Sequence, residues 1–494
     1  MEAVAANSAT NEVRGTWLTT TANTAIASPA DTATSMHRLK EIGINTVYVE
    51  SWKNGYTQFP SEALRRTIGV LQRPAHIAQD PGVRLDLRPQ NPRDLVQETL
   101  IEAHRNGLIY ISWFEYGFMA SHKETMNHLR SQKPEWLSRD VHGNEIAPNG
   151  FVWLNPLHPE ARQFLLDLVI EAVDKYDLDG VQLDDRIVWP HITMGYDDYT
   201  QKIYALEHAG RNPPKDYNDA EWMRWRADKV NEYSKIFVQE VRAKRPGLLI
   251  SLSPAVYPWS WQHYLLEWPK WSAWKKDDRV KITGLSTNGM TKNNEAISAP
   301  RWDEFVPQTY RFSYQDFEQL WLLQVDAMRD FGGDRQRALV AGIRIVGDGK
   351  DSSWDQLKRS IELTRRSNNG GHVLWFSRGV LDVYPVELKA FYAGSGAASS
   401  PHFPVGWRQP SIPMQKKLAT TSGDNEKTNW QIAGVAAGHY QIIGLDAQGW
   451  HYLKKITFSN VAANCPPIEI ALSSHFTQIE LLIDRRNEMT QAQH

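Results

Sequence analysis

The run from Tyr176 to Arg186 reads Tyr-Asp-Leu-Asp-Gly-Val-Gln-Leu-Asp-Asp-Arg, and it sets two adjacent carboxylates, Asp184 and Asp185, at the end of a short β-type segment. Side chains alternate along a strand, so Val181 and Leu183 share one face while Gly180, Gln182 and Asp184 share the other. The apolar face would pack on helices. Asp184 then points out of a core at the strand's carboxyl end, and Asp185 points into the following loop or toward a neighbouring strand. Two carboxylates held close together cannot both ionise freely, so one pKa should rise, which yields an acid and a base from one residue type. Asn45 to Trp52 repeats the geometry, with Val47 and Val49 outward and Thr46, Tyr48 and Glu50 inward. Ile109 to Tyr116 brings a fourth acid, Glu115, whose face the periodicity leaves open. The bland alternatives are strand-end aspartates, helix caps, or glutamates paired with a neighbouring Arg or Lys.

Rings and polar groups accompany these acids. Trp17, Trp52, Trp113, Tyr116, Gln308, Tyr310, Arg344, Trp375 and Arg378 all fall at or near the ends of candidate strands. Sugar rings present an apolar face that stacks on aromatic side chains, while amide and charged groups satisfy the hydroxyls. The chain holds 20 Trp and 18 Tyr, but those in a helical stripe, such as Trp222 and Trp225, read as packing. Only the strand-end group argues for a saccharide.

The elements that would position these residues follow from alternation of short β-branched runs with longer amphipathic stretches, the pattern of βα units. Strands are expected at Arg14 to Thr20, Asn45 to Ser51, Leu108 to Glu115, Gly180 to Asp185, Leu248 to Pro254, Phe305 to Tyr310, Leu339 to Ile345 and His372 to Ser377. Helices are expected at Ser35 to Ile42, Pro92 to Asn106, Pro159 to Tyr176, Asp219 to Lys244, Tyr314 to Phe331 and Ser353 to Ser367. Eight such units make an α/β fold, a (β/α)8 TIM barrel over residues 14–392, after an N-terminal extension at 1–13. The segments 52–91, 116–158, 186–218 and around 257–304 each follow a strand. They would therefore elaborate the carboxyl-end face, where barrel active sites lie. Residues 393–404 read as a linker, and 405–494 as an antiparallel β-sandwich of fibronectin or Ig type serving as an accessory domain.

Composition narrows the functional classes. With 55 basic and 57 acidic residues the net charge is -2, which gives no footprint for nucleic acid. The single cysteine, Cys465, excludes an intramolecular disulfide and a cysteine zinc cluster. No apolar run approaches the length of a membrane span. The start, Met1 to Val13, lacks a charged and an apolar signal region, and reads as a mature terminus after removal of a signal peptide. A periplasmic or extracellular location is expected; the single cysteine is equally compatible with the cytoplasm.

Arg14-Gly15-Thr16-Trp17-Leu18, the GINTVYVES run, Trp113-Phe114, Asp179 to Asp185, Leu252-Ser253-Pro254-Ala255, Pro307-Gln308-Thr309-Tyr310 and the strand around Trp375 together resemble the glycosyl-hydrolase-like 10 family. The resemblance covers residues 14–392, with seven motifs in order on seven strands. It implies a bacterial envelope barrel, with at least one member acting on peptidoglycan glycan strands stripped of their peptides. It places the family's paired aspartates on Asp184 and Asp185, and family positions on Arg14, Trp17, Gln308 and Tyr310. Two departures stand out. Where much of the family has Trp-Phe-Asn-Pro-Tyr-Arg, this chain has Trp113-Phe114-Glu115-Tyr116-Gly117-Phe118. Where the family has Gln, a basic residue and Pro, it has Glu50-Ser51-Trp52-Lys53. Two amides have become two acids. A chitinase barrel motif would require Asp at position 182 and Glu at 186; Gln182 and Arg186 stand there instead.

These readings converge on a glycoside hydrolase cleaving a β-linked, N-acetylated envelope glycan, with peptidoglycan strands first among the candidates. Asp184 is expected as nucleophile or base, Glu115 as acid, Asp185 as the group that tunes the pair, and Glu50 in reserve. A substrate acetamido group could replace the protein nucleophile, leaving Asp184 to orient it. No cofactor or metal is required, although Asp184, Asp185 and His191 offer ligand types. Two rival readings remain, a non-catalytic glycan-binding barrel and a metal-dependent hydrolase or deacetylase. The expected partner is a polysaccharide or oligosaccharide, not nucleic acid or a membrane.

Overall fold

Eight short runs rich in β-branched and apolar residues build one parallel sheet in the computed structural model: β1 (Val13–Leu18), β2 (Thr46–Glu50), β3 (Ile109–Phe114), β4 (Gly180–Asp184), β5 (Leu249–Ser253), β6 (Glu304–Phe305), β7 (Ala341–Arg344) and β8 (Gly371–Trp375). The structure describes residues 10–74, 93–123, 125–274, 301–417, 427–459 and 467–486. The strand order is β6-β5-β4-β3-β2-β1-β8-β7. Isolated parallel bridges, Phe305 to Leu339 and Gln308 to Gly342, join the two edges and close the sheet into a barrel. Strand β6 is shorter than the expected Phe305 to Tyr310, because Pro307 has no N–H to give to the ladder. Gln308 and Tyr310 therefore stand on the turn that leaves the barrel.

Helices follow the strands. Pro29–Ile42, Leu95–Arg105, Pro159–Lys175, Ala220–Lys244, Tyr314–Gly332 and Trp354–Arg366 cover the outside. The first begins six residues before the expected Ser35, since Ser28 caps it by accepting from Asp31 N and Pro29 suits its first turn. A further helix, Pro385–Ala393, was not expected from the sequence. In Ala220–Lys244 the buried side is the stripe Trp222, Trp225, Val230, Tyr233, Phe237 and Val241. Gly180 begins β4 between β3 and β5. A Cβ there would stand 2.7 Å from Ile111 Cδ1 and 2.8 Å from Leu249 Cβ, so only glycine lets β3, β4 and β5 close. Among the described residues no helix is long and apolar enough to cross a membrane.

The C-terminal part forms two antiparallel sheets. One runs Ile412–Pro413, Gln478–Ile483, Gly438–Asp446, Gly449–Phe458, and the other Gln415–Lys416, Lys427–Ile432, Ile468–Ser473. Met414, Trp430, Tyr440, Ile442, Phe458, Ile470 and Leu481 form a core of their own there. Cys465 lies outside the described residues. Ahead of these sheets, Ala398–Ser399 pairs in parallel with Thr10–Asn11. Trp407 and Arg408 then enter the base of the barrel beneath β4, where Arg408 meets Asp177 at 3.0 Å and Asp179 at 2.8 Å.

Candidate functional site

Strands β3 and β4 end side by side, with Phe114 in register with Leu183, so the residues that follow each strand meet at the carboxyl-end face. Asp184 closes β4 almost fully buried. Its Oδ1 accepts from Asp185 N at 2.8 Å and from Gln308 Nε2 at 2.5 Å, and its Oδ2 accepts from Arg186 Nη1 at 2.9 Å. Asp185 is more open, its side chain 27% exposed against 5% for Asp184. Asp185 Oδ1 is buried without a hydrogen bond, 3.5 Å from Arg186 Nε. Arg186 also donates to the Glu115 carbonyl at 2.8 Å and comes within 3.6 Å of Glu115 Oε1. One guanidinium thus faces three carboxylates.

Glu50 sits deeper, fully buried at the end of β2. Thr20 N and Oγ1, Lys53 Nζ and Gln58 Nε2 donate to it at 3.1, 2.5, 3.3 and 3.3 Å. Lys53 reaches on to Glu115 Oε2 at 3.2 Å. Four carboxylates therefore share two cations, and the surplus negative charge bears on their protonation. Burial pushes the Asp184 carboxyl well above the usual range; Arg186 opposes this, and the charges of Asp185 and Glu115 add to it. Asp185 is raised by burial and by Glu115 against the same arginine. Glu50 is raised by burial and Glu115, with Lys53 opposing. The expectation of a paired carboxylate with an elevated pKa thus has a geometric basis.

Beneath the acids lies an aromatic floor. Trp17 is buried, donates to Gln182 Oε1 at 2.8 Å and contacts Trp113, Tyr310 and Trp375 at centroid distances of 6.4, 6.4 and 5.8 Å. Tyr310 and Trp375, both half-buried, stack at 5.7 Å and 27° and form its accessible part. Burial and the charges of Asp184 and Asp185 push the Tyr310 phenol well up. Tyr116 lies under the Arg186 guanidinium at 5.7 Å.

Several candidate residues do not join this cluster. Arg14 lies near the amino end of β1, at the opposite mouth of the barrel, where it donates to Glu12 at 2.7 Å and covers the Tyr392 ring at 4.6 Å. Trp52 is fully buried and turned toward Phe164, because its indole donates to Gly117 O at 3.1 Å. Arg344 is spent on the loop after β7, donating to Ser352 Oγ and to the carbonyls of Asp348 and Lys350 at 3.2, 2.8 and 2.7 Å. Arg378 stands at the rim, 3.9 Å from Asp351. Conversely, Arg186 and Lys53 belong to the site and escaped the sequence reading. Arg186 directly follows the aspartate pair and Lys53 lies three residues beyond Glu50, so adjacency to the acids was the available signal. Among the described residues no three His, Cys, Asp or Glu side chains converge as a metal site. Between Asp184, Asp185 and Glu115 the cation is the Arg186 guanidinium.

The chain has relatives. The chain is similar to the glycosyl hydrolase YngK of Bacillus subtilis (strain 168), 28% identical over 158 residues, which are 31% of this chain and 28% of that protein. It is similar to the glycosyl hydrolase DigH of Escherichia coli (strain K12), 26% identical over 229 residues, 44% of this chain and 46% of that one. These matches span less than half the length of either relative. In fold it is similar to the PgaB (BpsB) glycoside hydrolase domain from Bordetella bronchiseptica, with a TM-score of 0.51 at 12% identity, over 77% of this chain and 98% of that domain. The model of the family described as glycosyl hydrolase-like 10 matches residues 12–310, more than half of the chain and all of the strands that carry the acids, and the chain belongs to that family.

Proposed function

We propose that this protein is a glycoside hydrolase that cleaves a β-linked, N-acetylated glycan of the cell envelope, with peptide-free peptidoglycan strands as its substrate. The carrying observation is the group of Asp184, Asp185 and Glu115 around Arg186, above the Tyr310 and Trp375 stack. Family membership and two relatives named glycosyl hydrolases support the reading.

Glycosidic cleavage passes through an oxocarbenium-like transition state, which requires a proton on the leaving oxygen and negative charge near the anomeric carbon. Asp185 supplies the proton because it is the most open of the four acids, its side chain 27% exposed, so that a leaving oxygen can reach it. Asp184 is held in one orientation by Gln308, Arg186 and Asp185 N, which suits it to face the developing positive charge or to orient a substrate acetamido group that attacks in its place. Glu115 is occupied by Lys53 and Arg186. The proton-donor role expected for it in the sequence therefore passes to Asp185, and Glu115 and Glu50 fix the two cations.

A second reading, a barrel that binds glycan without cutting it, draws support from the completeness of the Asp184 hydrogen bonds. Incubation with peptide-free peptidoglycan strands, chitin oligomers and plain β-glucans, with products read by mass, separates the two. Hydrolysis of an N-acetylated strand is expected. Binding to such strands without any new fragment would establish the second reading, and cleavage confined to the plain β-glucans would refute the substrate class.

A further inference from the structure

The face that carries the carboxylates also holds two large rings out in solvent. Trp259, on the segment leaving β5, is 43% exposed, and Phe312, on the segment leaving β6, is 63% exposed. Single exposed apolar residues are ordinary on a protein surface, so exposure alone says little. What these two share is a backing. Trp259 stacks on the His263 imidazole at 4.5 Å and 24°. Phe312 stands against the Arg344 guanidinium at 4.3 Å, and Arg344 is itself tied to Ser352 and to two loop carbonyls. Each ring is thus held from one side by a flat, charged or polarisable group, while much of its surface stays in water.

Both rings are continuous with the acid cluster. From Asp184 the path on one side runs through Gln308 to Tyr310 and its stack with Trp375. The loop after β7 fills the gap beyond: a Cβ at Gly347 would stand 3.3 Å from Trp375 Nε1, and one at Gly349 would stand 3.1 Å from the Phe312 ring. On the other side Trp259 touches Tyr264 at 5.3 Å, and Tyr264 contacts His191 of the β4 loop at 5.8 Å and Trp153 of the β3 loop at 6.2 Å. Asn149 donates to the Tyr264 hydroxyl at 3.0 Å, and the charges of Asp185 and Arg186 are felt at that phenol. Phe312 therefore leans toward β7 and β8, and Trp259 toward the loops of β3 and β4.

We infer that Trp259 and Phe312 are outer stacking platforms for a glycan chain that runs past the carboxylates in both directions, so that the preferred substrate is a polymer cut internally. The proposal rests on the glycan reading above and deepens it. A β-linked pyranose with equatorial substituents offers C–H bonds on a flat face, and a ring fixed from behind receives it without ordering cost at the moment of binding.

The test is chain-length dependence. Chitin oligosaccharides and peptide-free peptidoglycan strands of graded length are supplied to the full chain, to Trp259→Ala, to Phe312→Ala and to Trp259→Phe. In the parent protein kcat/KM should climb with length. Each alanine variant should lose about tenfold on the longest chains and little on the shortest cleaved ones, since one ring stack is worth roughly a factor of ten. Trp259→Phe should retain most of the preference. Parallel length profiles for parent and alanine variants overturn the proposal. Calorimetric binding of the same oligosaccharides to Asp185→Asn distinguishes this from failure of the hydrolase reading. Length-dependent affinity that needs both rings supports the platforms even if no parent protein cleaves, and affinity that ignores both rings overturns them.

Discussion

Strand β4 has acids just before it and at its far end, and Asp179 and Asp184 stand in opposite electrostatic surroundings. At the base, Asp179 is completely enclosed, yet each oxygen has two donors: Trp407 Nε1 and Arg408 Nε at 2.7 and 2.8 Å on one, Tyr110 N and His104 Nε2 at 2.8 and 3.1 Å on the other. Burial pushes its carboxyl up, but Arg408, His104 and the backbone more than offset that and hold it well below the usual range. Asp177 is paired with the same arginine at 3.0 Å. At the carboxyl end, Asp184 and Asp185 share Arg186 with Glu115 and are pushed the other way. The same residue type locks an interface before the strand and, at its far end, joins a crowd of acids that favours protonation. What separates them is the donors that reach each carboxyl and the carboxylates crowded beside it, four donors on Asp179 against the added charges of Asp185 and Glu115 on Asp184, not burial.

The sharpest way to break this comparison is to neutralise one acid at the top. Asp184→Asn should lower kcat by roughly 10²- to 10⁴-fold on the glycan the parent cleaves, the range expected for removing a charged group from acid–base machinery, while its unfolding midpoint stays close to the parent's. A matching loss of stability would place Asp184 with Asp179 as a structural acid. At the base the converse holds. Arg408→Ala strips the cation from two enclosed carboxylates and should cost about 3–5 kcal/mol in denaturant unfolding, because a buried charge left without its partner is heavily penalised. Activity of the folded fraction should be nearly unchanged. An Arg408→Ala protein as stable as the parent would mean that the C-terminal sheets dock without this pair.

How much of this was legible follows the range of the interactions. Alternation along Gly180 to Asp184 put Gln182 and Asp184 on the barrel side, and the structure has Gln182 bonded to Trp17 and Ser251 inside the sheet. Such periodicity is local and survives in the sequence. The fate of Asp179 was not legible, because its compensating groups, Trp407 and Arg408, stand 228 and 229 residues away in a segment that reads as the start of an accessory domain. Arg14 enters through the family resemblance alone; it heads the expected strand, so its amino-end position is legible, and Glu12 and Tyr392 hold it at the opposite mouth. Arg186 is visible in the sequence, but comparison with the chitinase motif marks it as a missing acid, and only the fold shows it as the cation facing three carboxylates.

The smallest expected effect is also the most direct reading of the contrast, since it compares the two ends by pH alone. Asp179 binds its proton less readily folded than unfolded, so its stabilisation is present above the unfolded carboxylate value of about 3.9 and is lost as pH falls through the lowered folded value. Asp184 and Asp185 behave in the opposite sense. Their raised folded values mean that the native state holds more protons than the unfolded one, so their contribution is fully present below about 3.9 and declines as pH rises through the elevated range. Replacing both by Asn removes only the second dependence. The stability gap between Asp184→Asn/Asp185→Asn and the parent should therefore grow in favour of the variant as pH is raised from acid toward neutrality in buffered urea titrations, while in both proteins the acid limb set by Asp179 stays in place. A gap that is flat with pH would show that Arg186 and Lys53 already neutralise the upper cluster, and the distinction between the two ends of β4 would then lie in geometry alone.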